Sequence, residues 1–210
     1  MKDVSRKANN NRRGFTLVEM LISLSIFAVV TAFAMANFKA GQQGDELRLS
    51  ARITASLIQR ARTQTVSGYA IYYCHGGALA GQLCPTGNDA ECGDGVCQRD
   101  IPPAYGINIS AAVEENREVR IFADINGNEK YDVGEALRSD SVSPGPFVFI
   151  NSVAPVQLNA LDIIFTPPKP ITSFNGSIVD GLATIILQHA NTGRQTTITV
   201  NRISGLVSID

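Results

Sequence analysis

Residues 15 to 38 read Phe15-Thr-Leu-Val-Glu19-Met-Leu-Ile-Ser-Leu24-Ser-Ile-Phe-Ala-Val29-Val-Thr-Ala-Phe33-Ala-Met-Ala-Asn-Phe38, an apolar run whose only charge is Glu19. As a helix rising ~1.5 Å per residue it is long enough to cross a ~30 Å hydrocarbon core. Five cations (Lys2, Arg6, Lys7, Arg12, Arg13) crowd into the positions before it, and no comparable apolar run follows. The positive-inside tendency therefore places the N-terminus in the cytoplasm and everything after Lys39 across the membrane, a single pass. A buried core helix is the bland alternative, but it is usually shorter and lacks a cationic preface. A cleaved secretory signal is the other, and only Ala32, Ala34 and Ala36 offer it a small-residue site.

The chain taken whole has the composition of a folded protein. Of 210 residues, 44% are hydrophobic and 18% charged, which excludes a disordered tail or fibrous repeat. Lys and Arg number 18 against 19 Asp and Glu; residues 1 to 14 hold five of the cations and Asp3, so the remainder carries 13 against 18. An acidic body disfavours nucleic acid as a partner, because phosphate binding needs a clustered positive field.

The helix is expected to continue past Lys39. Gly41 and Gly44 weaken it by ~1 kcal/mol each relative to Ala, after which Leu49, Ile53, Leu57 and Ala61 recur every four residues. No proline intervenes, and Gly68 is placed to end the helix after Ser67. From Tyr69 the texture turns to short β-rich runs: Tyr69 to Cys74, Tyr105 to Ser110, Val119 to Ala123, Phe147 to Asn151, Asp162 to Phe165, Ala183 to Gln188, Gln195 to Asn201 and Leu206 to Ile209. The last three form a meander whose turns end in Gly193 and Gly205. Pro144, Pro146, Pro155, Pro167, Pro168 and Pro170 fall between runs. The fold class is therefore α+β, a long N-terminal helix (transmembrane half plus amphipathic half) followed by an antiparallel β-sheet or sandwich head. The segments are 1–14, a leader; 15–38, the transmembrane helix; 39–67, its amphipathic continuation; and 68–210, a β-rich head with a cysteine-containing insertion at 74–97.

The order of features at the N-terminus, cations, then Gly14, then Phe15-Thr-Leu-Val-Glu19, then the apolar run, resembles the type III signal of type IV prepilins and type II secretion pseudopilins. The resemblance implies cleavage by the prepilin peptidase after Gly14, N-methylation of Phe15, and an assembly role for Glu19. An ionisable side chain inside hydrocarbon costs at least roughly 2.5–3.5 kcal/mol, so it is retained where a partner charge compensates it. In this family that partner is the Phe15 ammonium of a neighbouring subunit; the plainer reading is a Glu19 that snorkels to the interface. The phrase Ile121-Phe-Ala-Asp-Ile-Asn-Gly-Asn-Glu-Lys-Tyr-Asp-Val-Gly-Glu-Ala-Leu-Arg138 and the close Thr197-Ile-Thr-Val-Asn-Arg-Ile-Ser-Gly-Leu-Val-Ser-Ile209 resemble the GspH/FimT group of minor pseudopilins and minor pilins. Gly205 is followed by Leu206, so the basic Gly-Arg-x-Arg tail of DNA-binding FimT-type members is missing. The resemblance implies a low-copy filament subunit without catalysis, either a minor pseudopilin of type II secretion or a FimT/FimU-like minor pilin priming pilus assembly or DNA uptake. It also implies a bacterial inner-membrane location with a periplasmic head, and other pseudopilins or pilins, the prepilin peptidase and inner-membrane lipid as partners.

Two further clusters carry chemistry. Cys74, Cys84, Cys92 and Cys97 lie in one Gly-rich stretch, and in an oxidising periplasm they make two disulfides with three pairings open. Zinc with His75 is the alternative, but no Cys-x-x-Cys pair supplies its ligand spacing. Asp124, Asn126, Asn128, Asp132 and Glu135 stand at positions 1, 3, 5, 9 and 12 of a calcium loop, with the Lys130 carbonyl at position 7. Position 6 is Glu129 instead of glycine, which weighs toward an Asx-rich turn. Calcium is thus the single cofactor expectation, and none is required. His75 and His189 read as loop histidines, and no nucleophile elbow or nucleotide-binding glycine pattern accompanies them.

Overall fold

The computed structural model describes residues 15–111, 118–137, 142–156, 159–168, 171–177 and 181–210. It has the expected α+β class: helix α1 (Leu17–Ser67), then strands β1 (Ile71–His75), β2 (Val96–Asp100), β3 (Ala104–Ser110), β4 (Val119–Asp124), β5 (Val148–Ala154), β6 (Ala160–Thr166), β7 (Ile171–Phe174), β8 (Leu182–His189), β9 (Gln195–Asn201) and β10 (Val207–Ile209). The chain divides into two units after Gln42, and α1 contributes to both.

In the first unit α1 has no core to pack against. Leu17–Met35 is 19 residues long, apolar, and unburied, with Phe27 67% and Phe33 69% exposed. Hydroxyls inside it are satisfied by the helix itself: Ser23 Oγ donates to the Glu19 carbonyl at 2.8 Å, and Thr31 Oγ1 to the Phe27 carbonyl at 2.7 Å. A helix of this length and hydropathy can therefore enter an apolar phase without leaving these hydroxyls unpaired.

In the second unit α1 is the spine of the core. Leu47, Ala51, Leu57, Ile58 and Ala61 pack into one cluster with Ile107, Ile121 and Ile163 from one sheet and Ile150, Ile185 and Ile198 from another. Of the expected row Leu49, Ile53, Leu57, Ala61, the last three join this cluster, Ile53 partly buried against it, but Leu49 is 59% exposed. Four residues advance 400° in a helix of 3.6 per turn, so a strict four-residue ladder winds off the buried face, and the true stripe alternates threes and fours. The helix ends where expected. Gly68 takes φ 59°, its N–H bonds the Thr65 carbonyl at 3.3 Å, and the Tyr69 N–H bonds the Gln64 carbonyl at 3.1 Å, a Schellman closure.

The strands form two four-stranded antiparallel sheets, ordered β10-β9-β8-β5 and β4-β3-β6-β7, and a two-stranded ribbon β1-β2. The meander β8-β9-β10 is present, with Gly193 at φ 67° and Gly205 at φ 62° in its turns. Two strands go beyond the sequence reading. β2 (Val-Cys-Gln-Arg-Asp) has no buried face; it pairs with β1 at the ladder and is tied down by the Cys97 N–H to Asp89 Oδ1 bond at 2.8 Å. β7 lies next to the Pro167 and Pro168 pair that reads as loop, and it sits at a sheet edge where no further ladder is needed. The histidines are not loop residues: each closes a strand, His75 ending β1 and His189, 1% exposed, ending β8. His189 Nδ1 accepts from the Asn191 N–H at 3.2 Å, and Nε2 lies 3.3 Å from Glu46 on α1.

Candidate functional site

Two sites follow from the sequence, one in each unit. At the start of α1, Thr16 and Glu19 close a reciprocal cap. The Glu19 N–H donates to Thr16 Oγ1 at 3.2 Å, while Glu19 Oε2 accepts the Thr16 N–H at 3.0 Å and its hydroxyl at 3.0 Å. This is the S/T-x-x-E capping box, which satisfies helix-start donors that would otherwise be bare in hydrocarbon. Phe15, 84% exposed, stands just before it. The Thr-x-x-Glu spacing of Thr16 and Glu19 is the local sequence signal for this cap. Gly14 and the rest of segment 1–14 lie outside the described residues.

The second site follows β4. Asp124, 1% exposed, accepts the Asn128 N–H at 3.1 Å on Oδ1 and the Glu129 N–H at 3.0 Å on Oδ2. Glu135, 3% exposed, accepts from the Ile125 N–H and the Asp132 N–H, both at 3.1 Å. Asn126 and Asn128 each donate a side-chain N–H to Asp132 Oδ2 at 2.7 Å. The Lys130 N–H donates to Asn128 Oδ1 at 2.9 Å, which fixes the peptide before the position-7 carbonyl. The six residues singled out in the sequence are thus one hydrogen-bonded loop. Glu129, the position that lacks glycine, adopts φ 57°. The sharp left-handed turn is made without the glycine, at a cost of roughly 1–2 kcal/mol.

Burial pushes the Glu135 carboxyl up to about 7; the Ile125 and Asp132 amides oppose this, and Asp124 and Asp132 add repulsion. Burial likewise raises Asp124, against the Glu129, Asn128 and Gly127 amides. Among the described residues no Lys or Arg forms an ion pair with either carboxylate. Two buried carboxyls without a counter-cation, flanked by Asp132, two amide oxygens and a backbone carbonyl, are hard oxygen donors of the kind that suit calcium. The loop is tied to the head through Asp162 on β6, which accepts the Tyr131 N–H at 3.1 Å and the Asn108 amide at 2.7 Å. Asp162 lies 38 positions past Asp124, so no local pattern marks it. Arg138, the last residue of the resemblance phrase, lies outside the described residues.

The cysteines pair as Cys74–Cys92 and Cys84–Cys97, and no free thiol remains. Cys74 and Cys97 face each other across the β1-β2 ladder, yet each bonds a different partner. Zinc would need these sulfurs as thiolates, and disulfide formation removes them.

Residues 9–35 match the family model of the prokaryotic N-terminal methylation motif. In this segment the chain is type IV pilin-like. No curated protein and no solved structure matches it. The motif, with its apolar helix, fits a single-pass anchor in the inner membrane, processing by prepilin peptidase, and assembly with other pilin-class subunits.

Proposed function

We propose that the protein is a minor pseudopilin of a type II secretion system, a structural subunit of the periplasmic pseudopilus that assists export of folded proteins across the outer membrane. The observation that carries this reading is the methylation motif over residues 9–35, which includes the unburied apolar span Leu17–Met35 with Glu19 in its capped first turn. The leader is clipped after Gly14, Phe15 becomes the methylated N-terminus, and the head stands in the periplasm. The Glu19 carboxylate is held by its own Thr16 in the single chain and is drawn to the Phe15 ammonium of a neighbour on assembly. No catalysis is required of it.

Deletion of the gene tests the machine: lost export with intact surface pili is the expected outcome. Lost pili, twitching or DNA uptake with a normal secretome assigns the subunit to a type IV pilus instead. Glu19→Ala is expected to be processed and inserted normally but not recovered in sheared filaments; normal incorporation overturns the role given to Glu19.

A second proposal concerns the Asp124 to Glu135 loop, which we read as a calcium site held by Asp124, Asn126, Asn128, the Lys130 carbonyl, Asp132 and Glu135. The support is the pair of buried carboxylates, which among the described residues have no ion-pair partner. Calcium at millimolar concentration is expected to raise the melting temperature of the chain, and Glu135→Gln to abolish the shift. No shift in the unaltered chain rejects the site.

A further inference from the structure

Strand β1 is paired by β2 along one edge and by residues 81–84 along only part of the other. On that second edge the Cys74 N–H donates to the Gln82 carbonyl at 2.9 Å, the Gly81 N–H to the Cys74 carbonyl at 2.9 Å, and the Cys84 N–H to the Tyr72 carbonyl at 3.2 Å. Pro85 then turns the segment away. Backbone groups alternate in direction along a strand, so the Tyr72 N–H points the same way as the Cys74 N–H, away from β2. The Cys84 carbonyl, which would have met it, takes the Gly87 N–H at 2.9 Å instead. Among the described residues no other loop carbonyl accepts the Tyr72 N–H, and the start of β1 is an open sheet edge.

A cleft of about 940 Å³ is lined by this open edge, at the upper end of the ~300–1,000 Å³ of ligand sites. Leu83 and Leu137 supply apolar wall, and the Leu83 N–H bonds the Gly134 carbonyl at 3.4 Å, which joins the disulfide-stapled insertion to the end of the acidic loop. The Tyr72 ring lies 3.4–3.6 Å from where a Cβ on Gly87 would stand, so one side of it is already packed. Arg99 is the cross-strand neighbour of Tyr72, and both are exposed. Glu91 lines the same cleft, its Oε2 accepting the Thr86 N–H at 3.2 Å. Among the described residues neither Arg99 nor Glu91 forms an ion pair. Two disulfides hold the backbone of the insertion, so little ordering is left for a ligand to induce there.

We propose that the open start of β1 takes an extended segment of a partner protein as an added strand, with a carboxylate of that segment on Arg99 and an apolar side chain against Leu83 and Leu137. Main-chain bonds to the edge give affinity whatever the sequence, and the side chains of alternate residues give the choice. Arg99, unpaired beside Tyr72, selects an acid and repels a base. Glu91 in the same cleft repels a run of acids, so the segment carries one carboxylate among apolar residues. That the segment belongs to a different polypeptide rests on the minor-subunit reading above; the site itself does not.

The test pans the full chain, purified in detergent micelles, against a displayed library of random linear peptides, and the enriched peptides are synthesised with a fluorescent label. Peptides with a single Asp or Glu beside an apolar residue are expected. Methylating their backbone nitrogens one at a time is expected to weaken binding at least tenfold at every second position only, the signature of strand addition. Arg99→Glu is expected to weaken the same peptides at least tenfold, and a peptide with Lys in place of its acid to bind that variant within threefold of the original pair. This exchange separates pairing from damage to the fold, and a thiol assay confirms that both disulfides persist. Arg52→Glu, exposed on α1, is expected to leave binding unchanged. The proposal is overturned by a library that yields no binder, by binding insensitive to Arg99→Glu, by a charge exchange that restores nothing, or by a methylation scan without alternation. Self-association in the ultracentrifuge that the peptide disperses puts a second copy in the cleft and overturns the partner named here. Lost export on gene deletion with no peptide binder overturns this inference alone, whereas a peptide bound as described with export intact supports the cleft and removes the pseudopilin reading.

Discussion

Gly106, in the middle of β3, marks how tightly the head is packed at the level of single atoms. A Cβ there would lie 2.5 Å from the Phe122 ring and 3.1 Å from the Ile163 carbonyl, with a buried residue on every side. Gly106→Ala is expected to lower stability by about 1–3 kcal/mol through overpacking, read by thermal unfolding, and Phe122→Leu in the same chain to recover part of the loss. An unchanged melting temperature would mean that Phe122 has room to move. Glu129 poses the reverse case. Its left-handed backbone costs roughly 1–2 kcal/mol, and glycine would remove that while adding roughly 0.5–1 kcal/mol of unfolded-chain freedom. Glu129→Gly is therefore expected to stabilise by about 0.5 kcal/mol, a gain that chemical denaturation can check. Neither constraint was legible beforehand. The Gly106 clash involves residues brought together only by the sheet, and a missing glycine at position 6 reads in sequence as an argument against the loop, not as a strained residue inside it.

Among the elements, the disulfide-stapled insertion depends most on covalent support. β2 contributes no buried face, the Asp89–Cys92 turn buries only Cys92, and the cysteines pack mainly on one another. Opening the Cys84–Cys97 bridge, which closes a separation of 13 residues, is expected to cost about 3 kcal/mol. Cys84→Ser with Cys97→Ser should lower the unfolding midpoint accordingly and sharply raise proteolysis between residues 76 and 100. If the melting temperature and digestion pattern both stay unchanged, backbone pairing with β1 suffices. Even count, clustering and compartment predicted two bridges from the sequence. Which of three pairings forms was not readable, because it depends on how β1, the Leu83 segment and the Asp89–Cys92 turn stack.

For the molecule as a whole, the second half of α1 is the element both large sheets share. Ile58, fully buried, sits in the cluster that takes side chains from each of them. Ile58→Ala is expected to cost about 2–5 kcal/mol, in a single cooperative transition of the head. Arg52→Ala, six residues earlier on the exposed side, is expected to change stability by no more than about 0.5 kcal/mol. A large effect at Arg52 or a small one at Ile58 would mean that the buried stripe is drawn on the wrong side of the helix.

What the sequence determined by itself is what short-range physics encodes. Length and hydropathy specify a membrane-length apolar helix, Gly68 its end, alternation most of the strands, turn glycines the meander, and ligand spacing the residues of the acidic loop. A few adjacent positions carry each of these signals. Tertiary structure alone decided that β5 leaves its neighbours to pair with β8 while β6 returns to β3, that Leu49 faces outward, that Asp162 anchors the loop, and which cysteines join. Those outcomes depend on contacts between residues far apart in the chain. Burial against a particular partner, which no local pattern records, chooses among arrangements that are locally equivalent.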